Sequence, residues 1–119
     1  MRTTAVKVRE IIETTLTDAG IDGYIIGANS FVTTHLEDKG LSAPILVEIE
    51  RWITAHFIAQ TRERMARKEG AGGAEIEYIG LFGEGLKSTP YGQTAISLDV
   101  SGTLVLLNNG SKPIKVKAL

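Results

Sequence analysis

Ser42–Glu69 reads SAPILVEIERWITAHFIAQTRERMARKE, and this stretch decides the fold class. Leu46, Ile49, Trp52, Ile53, His56, Phe57 and Gln60 recur at helical spacing and form one stripe. Ser42 can cap the exposed amides. Pro44 falls in the first turn, where its missing N–H costs no hydrogen bond. The spacing predicts a helix over 43–69. Its end carries Arg62, Arg64, Arg67 and Lys68 interleaved with Glu63 and Glu69. Cations suit a helix C-terminus, so this run is either a solvated helix end or an electrostatic docking surface.

Downstream the backbone chemistry changes. Seven of the chain's 13 glycines fall between Gly70 and Gly92, in GAGGAEIEYIGLFGEGLKSTPYG. The segment still carries Ile76, Tyr78, Ile79, Phe82, Leu86 and Tyr91, which favour burial. It reads as a glycine-rich docking arm over 70–91, with a strand or extended piece near Ala74–Ile79. Thr89-Pro90 marks a helix start, and a short helix with a C-terminal tail is expected over 92–119. Asp99–Gly102 is a turn or cap, and Leu104–Leu107 is either a helical turn or a strand. Asn108-Asn109-Gly110-Ser111 has turn chemistry. The ending Lys112-Pro113-Ile114-Lys115-Val116-Lys117 alternates like an edge strand or docking tail.

Upstream, Val8, Ile11 and Ile12 share a face in a short helix expected over 5–14. Thr17 or Asp18 can cap a second helix over 18–38, whose stripe includes Ile21, Tyr24, Ile25, Ala28, Phe31, Val32, His35 and Leu36. Gly20, Gly23 and Gly27 either admit a closely approaching helix or are merely tolerated, at roughly 1 kcal/mol each relative to alanine. Lys39-Gly40 ends the helix with a left-handed glycine. The expected fold is therefore mostly α: a small helical bundle of residues 1–69, a glycine-rich arm with possible short strands, and an extended C-terminal tail.

The bulk numbers fit one domain: 119 residues, 43% hydrophobic and 23% charged. A net charge of −1 gives no overall pull toward nucleic acid or an anionic membrane. Residues 1–50 hold four basic and eight acidic side chains, and residues 51–119 hold nine and six. That asymmetry is either chance or a means of head-to-tail attraction between copies. There is no cysteine, which removes disulfides and thiolate chemistry. MRTTAVKVREII lacks the apolar stretch of a signal peptide, and no apolar run has membrane-spanning length. A soluble protein used without export, with no membrane partner, is the expectation.

Constellations for catalysis are weak. GLFGEGLKST spaces Gly80 and Gly85 like a phosphate loop, but Leu86 stands where lysine must be. A helix, not a buried strand, precedes it, so nucleotide binding is not expected. His35 and His56, the only histidines, lie on apolar faces without a placed carboxylate, and hydrogen-bonded core roles suit them better than metal or nucleophile chemistry. Glu37, Asp38, Glu48 and Glu50 read as caps and solvent contacts. The expectation is no enzyme, no cofactor and no metal. The basic groups Arg62, Arg64, Arg67, Lys68 and Lys112, Lys115, Lys117 could neutralise phosphates non-specifically. No recognition helix follows them to read bases. A small DNA-binding or regulatory helical protein is the alternative to a protein–protein assembly subunit.

The residues themselves carry a family likeness. The stretch over residues 6–104 resembles the head–tail connector proteins of tailed bacteriophages, also called adaptor or head-completion proteins. The cues are the short N-terminal helix, Ile21-x-x-Tyr24-Ile25-x-x-Ala28, the run Glu50–Phe57 and the arginine-rich helix end. Glu77-Tyr78-x-Gly80, Thr89-x-Tyr91-Gly92-Gln93 and Leu98-Asp99 continue them in order. The resemblance implies a virion protein, made in the host cytoplasm, that forms a ring of twelve copies beneath the portal. It implies contacts with portal, neighbours and a tail or second connector protein, and an extended channel for passing DNA. It implies no catalytic residues. By the same likeness Tyr78, Phe82 and Tyr91 become interface candidates beside the basic groups.

Overall fold

A computed structural model describes residues 1–70 and 85–108, with the side chains of 63–70 left aside. Its elements are α1 (Ala5–Arg9), α2 (Asp18–His35), α3 (Ala43–Gly70), a 3₁₀ helix (Gly85–Ser88), α4 (Pro90–Leu98) and α5 (Thr103–Asn108). Among the described residues the protein is mostly helical and has no strand. Among the described residues no helix is long and apolar enough to cross a membrane.

α3 is the spine. Leu46, Ile49 and Ile53 meet Ala28, Val32 and Leu36 of α2, together with Leu86, Ala95 and Leu104 from the later elements. One turn further round, Ala55, Ile58 and Ala59 meet Val8, Ile12, Ile21 and Ile25. The early part of α2 thus faces the later part of α3, and the two run antiparallel. A helix buried on most of its circumference must be apolar beyond one stripe, which is why Ala55, Ile58 and Ala59 belong to the core although they lie outside the stripe read from sequence.

Local signals account for most boundaries. The Thr17 hydroxyl accepts from the Gly20 amide at 3.1 Å and caps α2. Gly40 adopts φ +84°, the left-handed turn expected of it, and Thr89 caps α4. Three expectations are corrected. The first helix stops at Arg9 instead of residue 14, because the Glu10 amide folds back onto the Lys7 and Val8 carbonyls. The β-branched pair Ile11-Ile12 follows and resists continuation, yet Ile12 is still buried. α2 stops at His35 rather than residue 38, where Leu36 leaves helical angles. Residues 85–91 are not arm: they form the 3₁₀ helix and the start of α4, with Leu86 in the core. The rest of the arm, its expected strand, and the tail beyond Asn108 lie outside the described residues. Leu104–Leu107, open between helix and strand, is helix α5.

The largest correction concerns Glu50. It is not a solvent contact but is wholly buried. Its Oε2 accepts from the Arg2 and Thr3 amides at 2.8 and 3.0 Å. Its Oε1 accepts from Asn29 Nδ2 at 3.0 Å and Arg2 Nη1 at 3.1 Å. Both oxygens are filled, as a carboxylate out of water requires. Glu50→Gln turns one acceptor into a donor facing donors, and a destabilisation of about 3 kcal/mol is expected in urea unfolding. A loss within experimental error would contradict this role.

Gly92 allows a close approach. A Cβ there would lie 2.0 Å from the Leu86 carbonyl oxygen and 2.9 Å from His56 Nδ1. Gly23 has nothing within 4 Å, and Gly27 meets only Phe57 Cε2 at 4.0 Å, so α2's glycines are tolerated rather than needed for tight packing. Opposite effects of one substitution follow. Gly92→Ala is expected to cost at least about 2 kcal/mol through forced backbone movement. Gly23→Ala is expected to add about 0.5–1 kcal/mol of stability. The two unfolding midpoints check both signs.

Candidate functional site

Two of the residues nominated from sequence, Arg62 and Tyr91, line a single open groove of about 880 Å³. One wall is the strap between α1 and α2, residues 9–15; the other comes from α3 and α4. The strap carries little secondary structure of its own, so its carbonyls need donors. Three arginines fasten the strap and the residues that flank it. Arg9 Nη2 donates to the Leu16 carbonyl at 2.7 Å and pairs with Asp18 at 2.9 Å. Arg51 Nε donates to the Lys7 carbonyl, and its Nη2 pairs with Glu10, both at 2.9 Å. Arg62 Nη1 donates to the Glu13 carbonyl at 2.8 Å.

Arg62 therefore has an internal role as well as an exposed one. Its side chain lines the groove while remaining open to solvent. Tyr91 is positioned by Thr89-Pro90, which starts α4 against α3. Its ring stacks on Trp52 with centroids 6.2 Å apart and planes inclined by 27°. Tyr91 is half-buried in the body, not carried on a free arm. Arg9 and Arg62 alternate with Glu10 and Glu13 along the groove. Such mixed walls give no single-sign field to gather phosphates, and they suit a polypeptide ligand better. Arg64, Arg67, Lys68, Tyr78, Phe82, Lys112, Lys115 and Lys117 lie outside the residues whose side chains are described.

The histidines divide. His35 is half-buried beside Phe31, with ring centroids 4.7 Å apart. His56 is buried, and its Nδ1 lies 2.7 Å from the Thr89 hydroxyl. That hydroxyl also accepts from the Gly92 amide at 3.0 Å. The Thr89 hydroxyl thus links the His56 ring to the first turn of α4, with donor and acceptor set by the ring's tautomer. This is a structural joint between α3 and α4, as expected of a core histidine. Among the described residues no three His, Cys, Asp or Glu side chains are grouped to hold a metal ion. Sequence reading missed Trp52 as the partner of Tyr91 and Arg51 as the second staple. Both lie on α3 beside Glu50, on the side that meets the N-terminal segment and α4.

No family model, curated protein or solved structure matches the chain.

Burial lowers the His56 pKa from 6.5 to about 4. Between these values the unfolded imidazole binds a proton that the folded one refuses. The stability is complete above the unfolded pKa and is lost as pH falls toward the folded one, by as much as about 3 kcal/mol at full effect. His56→Gln is expected to flatten the pH dependence of the urea midpoint across this window. Equal slopes in wild type and variant would contradict it.

Proposed function

We propose that the chain is a structural subunit of a phage head–tail connector ring, joining the portal to the tail and extending the DNA channel. The observation carrying this reading is the ordered series of sequence features from the N-terminal helix to Leu98-Asp99, matched to a connector subunit's expected plan of helices first and contact segments after. The groove beside Arg62 and Tyr91 supports a contact role, since its mixed charge and aromatic floor fit a protein partner. Twelve copies in a ring, a portal-facing and a tail-facing surface, and residence in the virion belong to this proposal. DNA would pass as a non-specific neighbour, met by charge alone.

Light scattering and negative-stain imaging of the purified chain, alone and with portal, test it. Closed rings are expected, and Arg62→Glu should weaken ring formation by removing a cation that lines the groove. A monomer or dimer under all conditions would speak against the connector reading. If that small species also binds duplex DNA with a log–log salt slope of about −3 to −4, the four cations Arg62, Arg64, Arg67 and Lys68 neutralise phosphates directly. The chain would then be a DNA-binding helical protein.

A further inference from the structure

The strap that walls the groove has the period of a β-strand but no strand beside it. Ile12 is buried, Glu13 exposed, Thr14 half-buried, Thr15 exposed, Leu16 half-buried and Thr17 exposed. That alternation belongs to extended backbone, in which the main-chain groups of residues two apart point to the same edge. The edge at Leu16 is closed. Its amide donates to the Thr14 hydroxyl at 3.1 Å, and its carbonyl takes Arg9 at 2.7 Å. The opposite edge, shared by Glu13 and Thr15, is open. Arg62 Nη1 reaches the Glu13 carbonyl at 2.8 Å from the groove, so this edge lies on the groove side. Among the described residues the Glu13 amide and both main-chain groups of Thr15 have no hydrogen-bond partner in the protein. Unpaired main-chain groups of this kind are a template for another extended chain.

We propose that the groove binds an extended polypeptide segment of a partner protein, paired main chain to main chain with Glu13 and Thr15 and carrying a carboxylate opposite Arg62. The inference rests on the contact role given above to this groove. Thr15 can exchange two hydrogen bonds with the incoming chain, and the Glu13 amide adds a third. Charge selects the carboxylate. Arg9 is paired with Asp18, and Glu10 is paired with Arg51, so neither asks for an outside partner. Arg62 spends one N–H on the strap and is exposed, which leaves its fork able to take an acidic side chain. The exposed Glu13 carboxylate in the same wall turns away a run of negative charge, nucleic acid included. Ile11 and the stacked Tyr91 ring give the segment's inward side chains apolar contact.

A display library of random linear peptides, panned on the full-length chain, supplies the probe. Peptides with Asp or Glu among β-branched residues are expected to be enriched. Their Kd, read by fluorescence anisotropy, is expected to rise about tenfold on Arg62→Gln. Thr15→Pro deletes one main-chain donor and keeps Thr14 extended, and it should weaken binding by about the same factor at an unchanged urea midpoint. On the wild-type chain, N-methylating alternate residues of the peptide should abolish binding, and methylating the residues between them should not. No enrichment, or a Kd indifferent to both Thr15→Pro and N-methylation, would overturn the proposal. Protection of the Glu13 and Thr15 amides that grows with protein concentration in the absence of peptide would also overturn it, by assigning the groove to a second copy. Rings that form without any peptide binding would remove this inference alone. Peptide binding by a chain that never forms rings would remove the connector reading alone.

Discussion

The buried Glu50 carboxylate is the constraint on which the rest of the arrangement depends. A charge removed from water must have its lone pairs filled, and removing one partner from such a group is far costlier than the group is worth in isolation. The donors here come from Arg2, Thr3 and Asn29, so a single residue of α3 fixes both the N-terminal segment and α2. This explains how α1 persists. Five residues are too few to hold a helix in water. α1 is instead fastened from outside, by Glu50 before it and by Arg51 on the Lys7 carbonyl at its end. With both ends tethered, Val8 and Ile12 are presented to Ile21 and Ile25, and their burial completes the second half of the core.

The same economy recurs where α4 meets α3. Thr89 is at once the cap of α4 and the partner of His56, so starting the helix and attaching it to the spine are one event. Gly92 permits this because the Leu86 carbonyl occupies the space a side chain would need. The consequence reaches the groove. Tyr91 lies between Thr89 and Gly92 in sequence, and this attachment sets its ring against Trp52. The Tyr91 ring is therefore held in place before anything enters the groove, and it has little side-chain freedom left to lose.

What was legible in the sequence follows a physical division. The long helix, the Thr17 and Thr89 caps and the Gly40 turn depend on neighbours a few residues away, and they could be read directly. The interior of the pattern was harder. Glu50 sits at the i+4 position from Leu46 and precedes Ile53 by three, squarely within the stripe. That position was the available sign that its carboxylate is buried. Residue type pointed to solvent instead, because the compensating donors lie 47 and 48 residues away. The 3₁₀ helix at Gly85–Ser88 was obscured for a similar reason. Glycine content argued for a free arm, whereas Leu86 and Leu104 are held by a core assembled from α2 and α3. Of the groove, Arg62 and Tyr91 could be nominated individually, but their meeting depends on the strap between α1 and α2, which has no sequence period of its own.

The exposed surface has two chemically different regions, and the difference limits what each can recognise. Around the groove, arginines and carboxylates alternate, and the guanidinium groups are already occupied by strap carbonyls. A partner there must supply its own complementary pattern, which favours a specific protein surface over a uniform polyanion. Around α5 the surface is mainly apolar, with Val105, Leu106 and Leu107 exposed and Lys87 beside Asn108. Apolar surface without directional contacts discriminates poorly between partners.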